Sequence, residues 1–381
     1  MKPHHSIDIW LCAAVVLLSC IGVGMVYSAS MYMSMQESGS SSFYMLRQLS
    51  RLLAGFLAMA VITRLNYRGY LKLSPMLLIM GVILLISVLV KKIMAGDGVE
   101  RWLDVGPVTI QPSEFMKIFL IIFLAASISG MGDRIRSFKH GFVPLLAIIG
   151  TVVGLVLLEP DLGISGLMLV TGLYMLYIGR ARFAHLMLVL LPAALGLVLV
   201  VNTVTYMKMR WLSYIHPEQY PQVSYHVLQS KISIGSGGIL GLGLGNSTQK
   251  FLFLPESHTD FVFSIMAEEL GFVRISIVLA LMLFIVVRGF KIAREAPDTF
   301  GFLLASGISF MLGMQMFINI GVATGLLPTT GMTLPFISYG GSSLIVTLCA
   351  TGILLNISRQ GSYERRLSQE FGIRLHRRAM A

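Results

Sequence analysis

Four stretches of the chain hold the residues able to do chemistry. The first is Arg101-Trp102-Leu103 followed by Gln111-Pro112-Ser113-Glu114-Phe115-Met116-Lys117. Pro112 and Ser113 suit a helix start, with Ser113 as the N-cap, and Glu114 then lies at the positive end of the helix dipole. Glu114 and Lys117 are three residues apart and share a helix face. A local ion pair explains them, and so does an anion site for phosphate, because a lysine on the apolar side of a loop is costly without a task. The second stretch, Glu159-Pro160-Asp161-Leu162-Gly163, sets two carboxylates around a proline. Asp161 reads as a helix cap, or the pair reads as a cation or substrate contact.

The third stretch runs from Gln229-Ser230-Lys231 through Gly235-Ser236-Gly237-Gly238 and Gly241-Leu242-Gly243-Leu244-Gly245 to Leu254-Pro255-Glu256-Ser257-His258-Thr259-Asp260-Phe261. Glycines here would let backbone N–H groups approach an anionic or sugar ligand, or would simply make a flexible or re-entrant loop. They are no dinucleotide fingerprint, since no βαβ context surrounds them. Asp260 falls where this loop meets an apolar helix. Partial desolvation there raises a carboxyl pKa and suits a general base, although helix capping would also place an aspartate there. His258 either tunes Asp260 or is a plain loop histidine. On residue types alone, Glu159, Asp161, Glu256 and Asp260 are equal candidates for a catalytic carboxylate. The fourth stretch, Pro328 to Ser343, is polar and broken, and at membrane depth such backbone requires protein or a wet cavity around it; its small residues equally suit helix packing. Glu268-Glu269 lie inside an apolar run, where carboxylates are either paired or functional.

The elements that must position these residues are membrane helices. The 381 residues are 55% hydrophobic and 12% charged, with a mean hydropathy of +0.79, whereas soluble domains carry roughly 25% charged residues. Apolar runs long enough to span a bilayer predict about ten spans, near 10–30, 46–63, 74–91, 113–130, 142–158, 162–179, 184–204, 261–287, 300–320 and 336–357. The first run, Trp10–Tyr27, lacks a convincing cleavage site and is expected to stay as a span. With both termini in the cytoplasm, eighteen of the 29 basic residues fall on inside segments, including the tail 358–381, as the positive-inside rule requires. That accounts for the net charge of +11 without nucleic acid. The outside segments are then a Ser- and Met-rich loop at 31–45, a loop at 92–112, a long loop at 205–260 and the stretch 321–335. Cys12, Cys20 and Cys349 all lie in apolar runs and indicate neither disulfides nor a metal framework. The expected fold is an all-α polytopic integral membrane protein forming one domain over 1–381, its chemistry on the non-cytoplasmic side.

These motifs together resemble the SEDS family (shape, elongation, division and sporulation), whose members include FtsW, RodA and SpoVE. The resemblance rests on Val26-Tyr27-Ser28-Ala29-Ser30, Arg101-Trp102, Gln111-Pro112-Ser113-Glu114 with Lys117, and Pro160-Asp161-Leu162-Gly163. It continues through the Gly235–Gly245 run, Leu254-Pro255-Glu256, Thr259-Asp260-Phe261, Glu268-Glu269-Leu270-Gly271 and Pro328–Ser343. The short segment between Gly241 and Glu256 is similar to the division-type branch, while Gln229-Ser230-Lys231 and His258 lean toward RodA. Arg274 departs from the pattern, which has a small residue there. The resemblance implies a peptidoglycan glycosyltransferase of the bacterial cell membrane that polymerises lipid II and releases undecaprenyl pyrophosphate, with Asp260 as catalytic aspartate. A lipid II flippase is the rival with the same substrate. Arg101, Glu114 and Lys117 are further functional positions by that likeness, and Glu159, Asp161, Glu256, His258 and Lys231 complete the expected substrate-binding set. The family also implies a class B penicillin-binding protein, a monofunctional transpeptidase, as partner, beside other divisome or elongasome membrane proteins. A divalent cation, magnesium or manganese, could assist, without a legible ligand cage.

Overall fold

The computed structural model describes residues 7–95, 101–106, 108–251 and 253–379. They form an all-helical bundle with one small hairpin. In chain order the elements are α1 (Ile9–Ser38), α2 (Phe43–Arg64), α3 (Gly69–Ala95), β1 (Leu103–Val105), β2 (Val108–Ile110), α4 (Pro112–Met131), α5 (Val143–Leu158) and α6 (Leu162–Ile178). They continue with α7 (Phe183–Thr203), α8 (Thr205–Ile215), α9 (Pro221–Ser236), α10 (Val262–Arg294), α11 (Thr299–Ala323) and α12 (Gly341–Ala379). Among the described residues eight helices are long and apolar enough to cross a membrane, namely α1 to α5 and α10 to α12, α12 over Gly341–Ser362. The sixth and seventh expected spans, 162–179 and 184–204, correspond to shorter apolar helices, Leu162–Ile178 and Phe183–Ala193.

Three expectations are corrected. The loop expected at 31–45 is mostly helix, because α1 runs on to Ser38 and stops only where Gly39 takes a left-handed φ of 69°. The hairpin β1–β2 occupies part of the expected loop at 92–112, pairing Leu103 with Ile110 in antiparallel register; residues 96–100 and 107 lie outside the described residues. The long loop 205–260 is not irregular throughout. It carries α8 and α9, the second opened by Pro221, a residue that suits a first helical turn because its missing N–H would go unused there.

Two helices form the centre. α11 is buried along both flanks, from Phe300 through Leu304, Ile308 and Leu312 to Met316, and packs against α4, α6 and α10. α12 packs chiefly against α2. The close α2–α12 approach uses Gly352, where a Cβ would lie 2.9 Å from the Met59 carbonyl oxygen. Around this centre the starts of α4, α6, α10 and α12 and the ends of α5 and α11 gather at one end of the bundle. The other end is tied by ion pairs: Asp8 with Arg288, and Asp298 with Arg68 at 2.8 Å, the Tyr67 hydroxyl also donating to Asp298 at 2.7 Å.

The glycine run has a structural explanation. α10 is kinked at Gly271, whose φ is 73°, and the chain from Gly238 to Gly243 lies directly on that kink. Leu242 and Gly243 donate their N–H groups to the carbonyls of Glu268 and Glu269, and Phe272 and Val273 donate to those of Gly238 and Ile239. Carbonyls and amides left unpaired by the kink are thereby satisfied. A Cβ on Gly241 would stand 2.3 Å from the Glu269 oxygen, at a φ of +80° that side chains rarely adopt. Gly241→Ala is therefore expected to destabilise the protein by about 2 kcal/mol or more, whereas Gly39→Ala, with a left-handed φ but open space around it, is expected to cost only about 1 kcal/mol. Thermal unfolding of both variants in detergent tests the difference; equal losses would remove the close approach as the cause.

Candidate functional site

Asp260 is the last residue but one before α10. The N-cap of α10 is Phe261, with no side-chain cap bond, so the Asp260 carboxylate is not used for capping. Its position is held instead through its backbone: the Asn319 side-chain amide of α11 donates to the Asp260 carbonyl at 2.9 Å and also to the Met332 carbonyl at 2.6 Å. The side chain is half-buried in the wall of a cavity of about 350 Å³ that Arg210, His226, Glu256, Thr329 and Gly331 also line. Asp260 Oδ2 and Arg101 Nη1 converge on Gly331, standing 3.6 and 3.8 Å from where its Cβ would be. Gly331 has a φ of 76°, so glycine keeps both the turn and the open space between the two charges.

Arg101 is fixed from the loop that follows α5. It donates to the carbonyls of Glu159 at 3.3 Å and Pro160, and its Nη1 lies 3.7 Å from Asp161 Oδ2. Asp161 is the N-cap of α6, accepting from the Ile164 N–H at 3.0 Å. Asp161 is thus the expected cap, and the same carboxylate also holds Arg101. Gly163 brings this turn against Thr330 and Met332; a Cβ there would stand 2.7 Å from Met332 Cγ. Glu159 is fully buried, and neither of its carboxylate oxygens has a hydrogen-bond partner among the described residues. Burial pushes its pKa up to about 8, with the nearby Asp161 charge adding to the rise and Arg101 and Lys92 opposing it.

The Asp260 pKa is pushed up to about 7, first by burial and then by the Glu256 charge, against the pull of Arg210. The group thus changes charge near neutrality, where a proton acceptor is most effective. Arg210, on α8, was not among the residues singled out from the sequence. It lies in a segment read as loop, and its charge there is indistinguishable from that of any surface arginine. In the structure it donates to the Thr329 carbonyl at 3.0 Å and lines the cavity. His226, on α9, stacks on Phe261 with ring centroids 6.2 Å apart, and its pKa is lowered mainly by burial.

Several expected residues sit elsewhere. Ser113 does not cap α4; the N-cap is Gln111, whose side chain makes no cap bond, and Ser113 Oγ has no partner among the described residues. Glu114 and Lys117 form the ion pair, 2.9 Å apart and both buried, and Lys117 also donates to Gln315 Oε1 at 2.9 Å. Lys117 is not in the wall of the Asp260 cavity; it acts through Gln315, whose amide donates to the Thr333 carbonyl at 3.0 Å. His258 is buried among the rings of Tyr44 and Tyr339, 4.9 and 5.5 Å away, outside the cavity wall. Burial lowers its pKa. Lys231 lies in a neighbouring cavity of about 420 Å³ with Tyr214 and Pro328, which shares Arg210 and Thr329 with the first. Glu256 is exposed at the rim and accepts from the Thr259 hydroxyl at 2.6 Å. Glu268 and Glu269 are paired, as buried carboxylates must be: Glu268 accepts from Ser233, Ser247 and Thr248, and Glu269 from Ser28, with Lys250 at 3.4 Å. Among the described residues no group of three or more His, Cys, Asp or Glu is placed to hold a metal.

This arrangement defines a class of protein: a polytopic membrane bundle with an aspartate of raised pKa at one end, set beside two arginines under a loop-and-helix cover. The FtsW/RodA/SpoVE family, described as cell cycle proteins, matches residues 9–363. Stage V sporulation protein E of Bacillus subtilis is 42% identical over 360 residues, 94% of this chain and 98% of that one. A probable peptidoglycan glycosyltransferase FtsW of Geobacter sulfurreducens is 40% identical over 360 residues, 94% of this chain and 96% of that one. Among solved structures, a chain from work on the structural coordination of polymerization and crosslinking by a peptidoglycan synthase complex superposes with a TM-score of 0.76 at 30% identity, over 93% of this chain and 98% of that one. The rod shape determining protein RodA of Thermus thermophilus superposes with a TM-score of 0.68 at 29% identity, over 93% and 97%. The chain belongs to the FtsW/RodA/SpoVE family.

Two outcomes follow from the site geometry. Glu256→Gln removes a like charge and is expected to lower the Asp260 pKa below about 7, while Arg210→Gln removes an attracting cation and is expected to raise it. An infrared pH titration of the carboxyl band lost in Asp260→Asn reads both directions; no movement in either variant would mean that Asp260 does not feel these charges. Lys117→Met, which leaves Glu114 buried and uncompensated, is expected to cost about 3–5 kcal/mol. Most of that loss should be recovered in Glu114→Gln/Lys117→Met, measured as thermal stability in detergent.

Proposed function

We propose that this protein is a peptidoglycan glycosyltransferase that polymerises lipid II in cell-wall synthesis, with Asp260 as general base. The observation that carries the reading is a carboxylate free of capping, with a pKa near 7, in a cavity beside two arginines. The names of the relatives as peptidoglycan glycosyltransferases support the same activity. Asp260 accepts the proton of the 4-hydroxyl on the incoming lipid II sugar. The freed oxygen pair forms the glycosidic bond to the anomeric carbon of the growing glycan. The bond from that carbon to pyrophosphate breaks, and the electron pair leaves with undecaprenyl pyrophosphate. Arg101 and Arg210 stabilise the developing negative charge. Lys117 and Glu114 serve as positioning residues, holding through Gln315 the segment that carries Gly331. A divalent cation, magnesium or manganese, would supply further charge neutralisation for the leaving pyrophosphate.

The Asp260 end of the bundle faces outside the cytoplasm in this reading. Arg64, Arg68, Arg288, Lys291 and Arg294 gather at the opposite helix ends, which the positive-inside rule assigns to the cytoplasm. The glycan would then be made where it is needed, while the polyprenyl tail stays in the bilayer. The similarity to FtsW and SpoVE supports a division or sporulation role over elongation. The complex that coordinates polymerization with crosslinking supports a class B penicillin-binding protein as partner, within a larger set of divisome membrane proteins.

Purified protein supplied with lipid II, with and without its transpeptidase, is expected to yield glycan strands. Asp260→Ala is expected to lose at least about 100-fold in rate, the contribution of a placed general base. Wild-type rates from a folded Asp260→Ala protein would sink the assignment. Lipid II crossing vesicle membranes with no glycan under any partner condition would favour a flippase instead.

A further inference from the structure

A third cavity, of about 580 Å³, opens on the outside of the bundle between α1 and α10. It shares no lining residue with the Asp260 cavity. Its walls are apolar, with Met25, Met31, Leu244 and Ile277 among them, and its cations are Lys250 and Arg274. Lys250 is already engaged by Glu269. Arg274 is exposed, and no hydrogen bond or ion pair among the described residues involves it. Its neighbours Phe272 and Ile277 are 69% and 66% exposed, so nothing among the described residues covers this face of α10. An unpaired cation on a lipid-facing helix is costly unless an anion meets it.

Depth decides which anion can. Arg288, paired with Asp8 at the other end of the bundle, marks one membrane boundary. Arg274 lies fourteen residues from it along α10, or about 21 Å at 1.5 Å per residue, within a hydrocarbon core of roughly 30 Å. An arginine side chain extending toward the nearer surface reaches the headgroup layer at the Asp260 end. The groove thus puts an unpaired guanidinium at phosphate depth above an apolar slot. We propose that it binds an anionic glycerophospholipid of that leaflet, with one acyl chain between α1 and α10 and the headgroup phosphate on Arg274. Guanidinium–phosphate pairing is among the stronger charge-assisted hydrogen bonds, and Arg274 makes the site selective for net negative headgroups. The site's separation from the Asp260 cavity makes its occupant a structural or regulatory lipid, not the reacting substrate.

Gly24 supplies an independent probe. A Cβ there meets nothing within 4 Å, and the residue lines the groove, so Gly24→Leu extends a branched side chain from an open position into the slot. The experiment is native mass spectrometry of delipidated full-length protein titrated with phosphatidylglycerol, phosphatidylcholine or undecaprenyl phosphate. Wild type is expected to prefer phosphatidylglycerol to phosphatidylcholine by on the order of tenfold, the equivalent of one charge-assisted hydrogen bond. Arg274→Gln is expected to lose that preference, Arg274→Lys to keep most of it, and Gly24→Leu to bind neither phospholipid at the site. Undiminished selectivity in Arg274→Gln, undiminished binding in Gly24→Leu, or a preference for undecaprenyl phosphate would each overturn the proposal.

Discussion

The constraint on which the rest depends is the irregular backbone between α11 and α12. Residues 328–340 have no helix to satisfy their amides and carbonyls, yet much of the stretch is buried. Inside a membrane bundle such backbone persists only if protein groups replace water as hydrogen-bond partners. Those groups come from every side. Gln48 of α2 donates to the Ser338 carbonyl, Gln315 and Asn319 of α11 to Thr333 and Met332, and Arg210 of α8 to Thr329. The Tyr339 N–H donates to the His258 carbonyl, and Ser338 Oγ accepts from the Leu334 N–H. Removing any one of these side chains leaves a buried polar group unpaired, at a cost of about 1–3 kcal/mol.

The same groups build the site. Asn319 joins Met332 to Asp260, so the segment and the start of α10 are located by one amide. Lys117 and Glu114 sit behind Gln315, and their charges cancel within the bundle. Arg101 is held by the turn before α6, which reaches Thr330 and Met332 because Gly163 has no side chain. The geometry around Asp260 is thus a by-product of satisfying an unusual stretch of backbone. Residues remote from the cavity, such as Lys117, are tied to the position of Gly331 through two hydrogen bonds.

The bundle has two ends of different character. At one, carboxylates with raised pKa values lie among arginines under a cover of α8, α9 and the hairpin. At the other, cations and fixed ion pairs terminate the helices. This polarity suits an enzyme whose substrate has a polyprenyl tail and a hydrophilic head, because lipid and sugar need different surroundings at adjacent depths. The Glu268-Glu269 pair shows the alternative use of buried charge. It joins α10 to α1 and to the glycine chain through hydroxyls and Lys250, and carries no open face toward the cavity.

The sequence by itself determined the class of fold, because the hydrophobic effect acts on composition and run length alone, and eight of the ten expected spans are long apolar helices. It offered Asp161 as a helix cap and Glu114–Lys117 as an ion pair, each as one of two readings, since both depend on spacing within a few residues, and the structure shows the cap and the pair. Motif likeness singled out Asp260 among four carboxylates that residue types left equal. Only the tertiary structure decided the rest. Whether Asp260 caps α10, whether His258 faces it, and whether the glycines cradle a ligand or a kink depend on contacts between residues far apart in the chain. Arg210 joined the site because α8 folds back over Thr329, and no local pattern records that approach. A charge acquires its role from what surrounds it, and those surroundings exist only once the bundle has closed.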